Sequence, residues 1–280
     1  MIHETIDLYA YFHLPREGKT GGRLTVYARG AFGEMPGRQR PAMLVIPGGG
    51  YFMVSDRENE PVALRFLSEG YSVFCLTYTV QTPYPTPLLE GAMAMAYIRE
   101  NAKKYAVDSA HVAAIGFSAG GHLAGMLATL YADKEITRVL GTRNVRPDAV
   151  VLSYAVMTTG IKTHGGTADT ISGGDPALRE HLSLEKCVTK DSPPAFIWHT
   201  GSDGAVPVEN ALMAAQAYRS AGVPFELHIF EEGVHGLSVA DIETAGGGEN
   251  DALVNVPVQS WLPLLFTWLK SRGFAVKIKA

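Results

Sequence analysis

Three side chains in this sequence could together supply a nucleophile, its base and an orienting acid: Ser118, His235 and Asp203. A serine hydroxyl is a weak nucleophile, so it needs an adjacent base, and a carboxylate then orients that base and stabilises its protonated form. The three residues occur in the order serine, aspartate, histidine, which is one of the known orders for such a set. The chemistry this set performs is acyl transfer through a covalent acyl-serine.

Ser118 lies in the segment Gly-Phe-Ser-Ala-Gly, between a short apolar run at residues 112–115 and a helical pattern at residues 123–131. This context predicts a strand, a sharp turn with the serine at its apex, and a helix, because the two flanking glycines remove side chains where strand and helix nearly touch. The backbone N–H of Ala119 would then face any oxyanion that forms at the serine.

His235 is the best candidate for the base among the nine histidines. It follows the last predicted strand, residues 225–230, and glycines on both sides allow close approach. His199 and His228 fall inside predicted strands, where side chains pack against helices, and His122 is expected to pack in the core. The alternative for His235 is an ordinary histidine of a surface loop.

Asp203 is the best candidate for the acid, because it directly follows the predicted buried strand at residues 195–200 and precedes a helix. Asp175, Asp191 and Asp241 compete with it, but none of them follows a buried strand. The alternative for Asp203 is a cap of the helix that follows, which is a common role for aspartate.

Three consecutive glycines, residues 48–50, follow the apolar run at residues 42–46. Unshielded backbone N–H groups at this position suit an oxyanion hole shared with Ala119. A phosphate-binding loop is the rival interpretation, but no Gly-Lys-Ser/Thr or Gly-x-Gly-x-x-Gly pattern supports it. His164-Gly165-Gly166 resembles an oxyanion motif, but no apolar strand precedes it, so it is rejected.

Apolar runs alternate with helical patterns along the chain, which predicts an α/β fold with a mostly parallel central sheet covered by helices on both faces. An antiparallel hairpin at residues 6–13 and 23–29 is predicted to lead into the sheet. We expect a single domain over residues 1–280. Residues 157–192 are rich in Gly, Thr, Asp and Ser, which predicts a small lid insertion with one helix near residues 177–181.

The composition argues against several functional classes. Hydrophobic residues make up 46% and charged residues 19% of 280, and the net charge of −4 favours neither nucleic acid nor a membrane as partner. Two cysteines and the absence of a leader pattern at residues 1–7 predict a cytoplasmic protein. No cofactor or metal-binding spacing is evident. The apolar helix at residues 258–270 suits the core, although part of it could serve a homo-oligomer.

Taken together, these segments resemble the α/β-hydrolase superfamily, and more narrowly its bacterial branch of acetyl-xylan-esterase-like and BD-FAE-type carboxylesterases. The resemblance is carried by residues 45–51, 60–64, 116–123, 198–203, 206–210 and 233–237 and covers nearly the whole chain. It implies a Ser118/Asp203/His235 triad and oxyanion donors at Gly49, Gly50 and Ala119. Many members have histidine where this chain has Pro47.

The resemblance also implies a function: hydrolysis of small short-acyl esters, in particular acetylated sugars or xylo-oligosaccharides, without a cofactor. Tyr51 and Phe52 are candidate substrate contacts that would limit the acyl length. Two alternatives remain at this point. One is a serine peptidase of the prolyl-oligopeptidase type, and the other is a non-catalytic binding protein on the same fold.

Overall fold

The central sheet is described by a computed structural model that covers residues 1–30, 33–247 and 251–278. Within these residues its strands are β1 (Ile2–Asp7), β2 (Arg23–Ala28), β3 (Arg38–Ile46), β4 (Ser72–Thr77), β5 (Val107–Phe117), β6 (Ala149–Ser153), β7 (Ala195–Thr200), β8 (Phe225–Phe230) and β9 (Lys277–Ile278). The spatial order is β1-β2-β4-β3-β5-β6-β7-β8, and β9 pairs with the start of β3. Strands β3 to β8 run parallel, whereas β1, β2 and β9 are antiparallel to their neighbours.

Helices connect the strands and cover both faces of the sheet. They are α1 (Leu8–Tyr11), α2 (Glu60–Ser68), α3 (Thr86–Glu100), α4 (Ser118–Thr129), α5 (Lys134–Leu140), α6 (Gly165–Ser172), α7 (Pro176–His181), α8 (Glu209–Ser220), α9 (Val256–Gln259) and α10 (Trp261–Ser271). Alternate residues of β3 enter opposite core clusters, with Leu44 and Ile46 on one face and Met43 and Val45 on the other. The predicted α/β class, with a mostly parallel sheet between two helical layers, is confirmed.

The N-terminal hairpin differs from its prediction in extent. Its first strand is Ile2–Asp7, not residues 6–13, and the chain then forms the short helix α1. Asp7 caps this helix by accepting a hydrogen bond from the amide of Ala10, and both Leu8 and Tyr9 are buried. Two adjacent buried residues fit a helical turn, whereas a strand with one solvated face would expose one of them. The antiparallel pairing with β2 is as predicted.

The segment 157–192 contains more structure than expected. It forms α6 and α7 and a 3₁₀ turn at Leu184–Lys186, where one helix was predicted. Ile171, Leu182 and Leu184 have no solvent-exposed surface, so the segment packs on the core through apolar side chains. Its role as a lid inserted into a single domain stays a prediction.

Helix α10 lies in the core. Trp261, Leu265, Trp268 and Leu269 are all buried against the second face of the sheet. The homo-oligomer contact suggested for this helix stays a prediction. Among the helices in the described ranges, none is long and apolar enough to cross a bilayer.

His122 on α4 joins the core to the segment 157–192. Its ring is fully buried, and its Nε2 donates a hydrogen bond to the carbonyl of Leu182 at 2.9 Å. Its Nδ1 therefore accepts a hydrogen bond from the hydroxyl of Tyr51, at 3.0 Å. Both ring nitrogens are thus satisfied in the neutral form, and burial, which disfavours the charged form, lowers the pKa of His122 to about 4.

We expect this histidine to make the fold sensitive to acid. The unfolded chain binds a proton at residue 122 with a pKa of about 6.5, so the stability from the neutral ring is present above that pH and is lost as the pH falls toward 4, a total of about 3 kcal/mol. Urea unfolding at about pH 7.5 and about pH 4.5 measures this loss. His122→Gln, which does not titrate, should lose less stability over the same interval. An equal loss in both proteins would assign the effect to other groups.

Candidate active site

The turn between β5 and α4 holds Ser118 in a left-handed conformation with φ of 52°. The close packing around this turn excludes side chains at two glycines: a Cβ on Gly116 would lie 2.1 Å from the carbonyl oxygen of Gly120, and one on Gly120 would lie 2.2 Å from that of Ile46. This is the predicted strand–turn–helix geometry, and it lifts the serine above the carboxyl ends of β3 and β5.

The three residues predicted to act together lie in one hydrogen-bonded chain. Nε2 of His235 is 2.8 Å from Oγ of Ser118, and Nδ1 of His235 is 2.7 Å from Oδ2 of Asp203. The Ser118 and Asp203 side chains are nearly buried, whereas the imidazole of His235 is 23% exposed. The imidazole can therefore receive the hydroxyl proton of Ser118 while the carboxylate fixes its tautomer.

Asp203 is held as a carboxylate by donors on several sides. Burial alone opposes its ionisation, but hydrogen bonds from His199 and His235 and from the backbone amide of Val206 outweigh it and keep the pKa of this carboxyl well below its usual range. The amide of Ala205 donates a further hydrogen bond at 2.9 Å. His199 was expected only to pack against helices. Its Nε2 in fact donates to the carbonyl of Val206 at 3.0 Å and also lies 3.3 Å from Asp203 Oδ2.

The glycine loop after β3 lies directly against the serine. A Cβ on Gly48 would lie 2.9 Å from the Cβ of Ser118, so only glycine permits this approach. In the described residues, the backbone amides of Gly49, Gly50 and Ala119 have no protein acceptor. Three unpaired donors beside a serine hydroxyl form an arrangement that can stabilise an oxyanion.

A buried glutamate, Glu58, braces this loop, and sequence reasoning missed it. One carboxylate oxygen accepts the amide of Gly48 at 2.7 Å, and the other accepts the hydroxyl of Tyr154 at 2.6 Å. The same hydroxyl accepts the amide of Ser238 at 2.9 Å, and the ring of Tyr154 packs edge-on against His235 at 5.1 Å. Glu58 therefore links the glycine loop to the loop that carries His235. No periodicity or motif around residue 58 signals this role.

Tyr51 was predicted to contact substrate, and the structure contradicts this. Residues Gly49, Gly50 and Tyr51 all have positive φ, and the side chain of Tyr51 turns beneath the loop, where it is fully buried and bonded to His122. The loop is also held by the hydroxyl of Tyr78, which donates to the carbonyl of Pro47 at 2.9 Å. The fixed loop therefore needs no histidine at position 47.

An open cleft of about 530 Å³ surrounds Ser118. Its walls are the glycine loop, residues 52–58, His235 and His164. Phe52 is thus in the cleft, and its contact with substrate stays a prediction. His164 is in the cleft although its His-Gly-Gly motif was rejected, because tertiary packing of the segment 157–192 brings it there without a preceding strand. In the ranges that the structure covers, no three His, Cys, Asp or Glu side chains are grouped to bind a metal.

Comparison with known proteins finds a matching family and several similar proteins. The BD-FAE family matches residues 33–217, which include Ser118 and Asp203 and end before His235. The chain is 41% identical over 217 residues to endo-1,4-beta-xylanase B of Butyrivibrio fibrisolvens, covering 75% of this chain and 34% of that protein. It is 29% identical over 205 residues to an acetylxylan esterase of Xylanibacter ruminicola, covering 70% and 41% respectively.

A solved structure covers almost the full chain. The acetyl ester-xyloside bifunctional hydrolase from Caldicellulosiruptor lactoaceticus superposes with a TM-score of 0.79 at 36% identity, covering 90% of this chain and 89% of that one. The two curated relatives are longer, and the chain spans less than half of the length of each.

Proposed function

Because the chain belongs to the BD-FAE family of esterase-type α/β-hydrolases, we propose that it is a serine esterase that removes short acyl groups, chiefly acetyl, from sugars or xylo-oligosaccharides. The observation that carries this proposal is the hydrogen-bonded chain Ser118–His235–Asp203 beside three unpaired backbone donors. A binding protein would need neither an ordered nucleophile–base pair nor donors placed for an oxyanion.

The proposed reaction has two halves. His235 takes the proton of Ser118 as its Oγ attacks the ester carbonyl, and the oxyanion accepts hydrogen bonds from the amides of Gly49, Gly50 and Ala119. The alcohol leaves with the proton from His235, which leaves an acyl-serine. A water molecule then attacks the acyl-serine by the same proton transfers and releases the acid.

Several observations support short acyl groups on a polar alcohol. Ser55, Asp56 and Arg57 are among the residues that line the cleft, and a long acyl chain lying along them would remove polar groups from water without replacing their hydrogen bonds. Two proteins similar to this chain have names that include acetylxylan or acetyl ester. The relative named as a xylanase has two thirds of its length outside the match, so its name does not specify the activity of the matched part.

The acyl preference is tested with 4-nitrophenyl acetate, butyrate and octanoate. We expect kcat/KM to fall from acetate to octanoate by about tenfold or more, because each methylene that the cleft cannot accommodate weakens transition-state binding. Release of acetate from acetylated xylo-oligosaccharides then tests the sugar substrate. A kcat/KM that rises with chain length would instead indicate a lipase-like enzyme.

The peptidase and the binding protein remain as alternatives, and a fluorophosphonate probe separates them. Covalent labelling of Ser118 excludes a purely binding role, because labelling requires an activated serine. A labelled protein that cleaves peptidyl-proline amides but no esters would favour the peptidase.

A further inference from the structure

His164 lines the cleft, and its hydrogen bonds show which of its ring nitrogens carries the proton. It caps α6, and its Nδ1 accepts a hydrogen bond from the backbone amide of Thr167 at 3.2 Å. A backbone N–H can only donate, so Nδ1 carries no proton and the neutral ring carries its proton on Nε2. Burial is the main cause that lowers the pKa of His164, which favours the neutral ring near pH 7.

This Nε2–H is available to a bound molecule. His164 lines the cleft, and its Nε2 has no acceptor among the protein groups that the structure describes. A donor whose tautomer is fixed by the backbone has one orientation, and a few such polar groups in a cleft determine how a ligand lies in it.

Phe52 borders the same small space. Its ring is part of an exposed side chain, 52% accessible, on the cleft wall. A Cβ on Gly166 would meet Phe52 at 3.2 Å and His164 at 3.5 Å, and one on Gly50 would meet them at 3.3 Å and 3.9 Å. Two glycines therefore keep open a gap that is bordered by an apolar ring and a fixed donor.

We propose that Phe52 and His164 form a subsite for the sugar ring that carries the acyl group, with Phe52 packing on the C–H face of the ring and His164 Nε2–H donating to a hydroxyl beside the ester. This inference rests on the proposed esterase function. A sugar offers an apolar face and an edge of hydroxyls, which match the two chemically different walls. His164 and His235 line the same cleft, and His235 would pass its proton to the leaving alcohol, so we assign the subsite to the alcohol side of the ester.

The test compares two substitutions, each of which removes one of the two hydrogen-bonding functions of the imidazole: the Nδ1 acceptor that caps α6 and the Nε2–H donor in the cleft. His164→Asn keeps an acceptor at the Nδ1 position for the cap of α6 but removes the Nε2 donor. His164→Gln keeps an N–H near the Nε2 position but loses the cap acceptor. The readout is the ratio of kcat/KM for methyl 2-O-acetyl-β-xyloside to kcat/KM for 4-nitrophenyl acetate, which lacks the sugar hydroxyls.

We expect the ratio to fall about tenfold in His164→Asn, the effect of one hydrogen bond, and to return toward the wild-type value in His164→Gln. Phe52→Leu should lower the same ratio, because it removes the flat ring without opening the cleft to a polar group. Asp169→Asn, on the exposed face of α6, is the matched control and should leave the ratio unchanged.

An unchanged ratio in both His164→Asn and Phe52→Leu would overturn the subsite. Equal losses on both substrates would also overturn it, because they would indicate a general defect of the cleft. If the wild type hydrolyses no ester, the proposed function fails separately. Sugar binding is then measured by saturation-transfer NMR, with methyl β-xyloside as the probe. If His164→Asn binds methyl β-xyloside more weakly than the wild type, the subsite proposal stands. If the two proteins bind it equally, or neither binds it, the subsite proposal fails.

Discussion

Replacing Ser118 with alanine is expected to lower kcat on 4-nitrophenyl acetate by about a million-fold, the size of loss seen when the nucleophile of a serine hydrolase is removed. The reason is geometric. Ser118 Oγ lies 2.8 Å from Nε2 of His235 and beside the unpaired amides of the glycine loop, so its removal ends the covalent route while the donors remain. The residual rate over water should reflect those donors alone.

Stopped assays and mass spectrometry check this expectation together. The wild type, quenched during turnover of an acetyl ester, should carry an acetyl group on the peptide that contains Ser118, and Ser118→Ala should carry none. Thermal unfolding of both proteins shows that the variant is folded. Activity within about tenfold of the wild type would place the nucleophile elsewhere and end the triad hypothesis.

Asp203→Asn is expected to lower kcat by about ten-thousand-fold with little change in the fold. The carboxylate accepts the Nδ1–H of His235 at 2.7 Å and is surrounded by donors, including His199 and the amide of Val206. The amide of an asparagine at this position points either its N–H or its oxygen at Nδ1 of His235, and in the second case its N–H faces a donor that the carboxylate accepts in the wild type. In the first case Nδ1 must accept, so the imidazole proton lies on Nε2, and Nε2 then cannot accept the proton of Ser118.

The matched control is Asp191→Asn, an exposed aspartate that was also a candidate from the sequence. It should retain wild-type kcat. The decline for Asp203→Asn should appear in kcat more than in KM, because the lost interaction is made mainly in the transition state. A loss confined to KM would reduce Asp203 to a structural cap of its loop.

The sequence alone predicted the parts of this site that follow directly from strands. Ser118 and Asp203 each come after an apolar run of the kind that forms buried parallel strands, and His235 comes after the last predicted strand. Parallel strands bring their carboxyl ends to one edge of the sheet. The structure places His235 within hydrogen-bonding distance of both Ser118 and Asp203. Their catalytic roles stay predictions until the two substitutions are measured.

Other parts depended on packing between segments distant in sequence. Glu58 lies in a short 3₁₀ turn, and its two partners are 10 and 96 residues away, so no local pattern reveals it. Tyr51 was misplaced because three consecutive positive φ angles reverse the side-chain direction, which spacing does not encode. His164 was rejected on the absence of a strand, yet α6 and the apolar contacts of its segment carry it to the cleft.

The position of Glu58 has a consequence for how this site can change during evolution. Its carboxylate accepts the amide of Gly48, in the glycine loop proposed to stabilise the oxyanion, and the hydroxyl of Tyr154. Tyr154 in turn accepts the amide of Ser238, in the loop that carries the proposed base His235. A substitution that shifts either loop therefore shifts the anchor of the other, and mutations in the two loops should be epistatic even where the loops do not touch. New substrate preferences are then most accessible through Phe52 and His164, which border the cleft but take no part in this link.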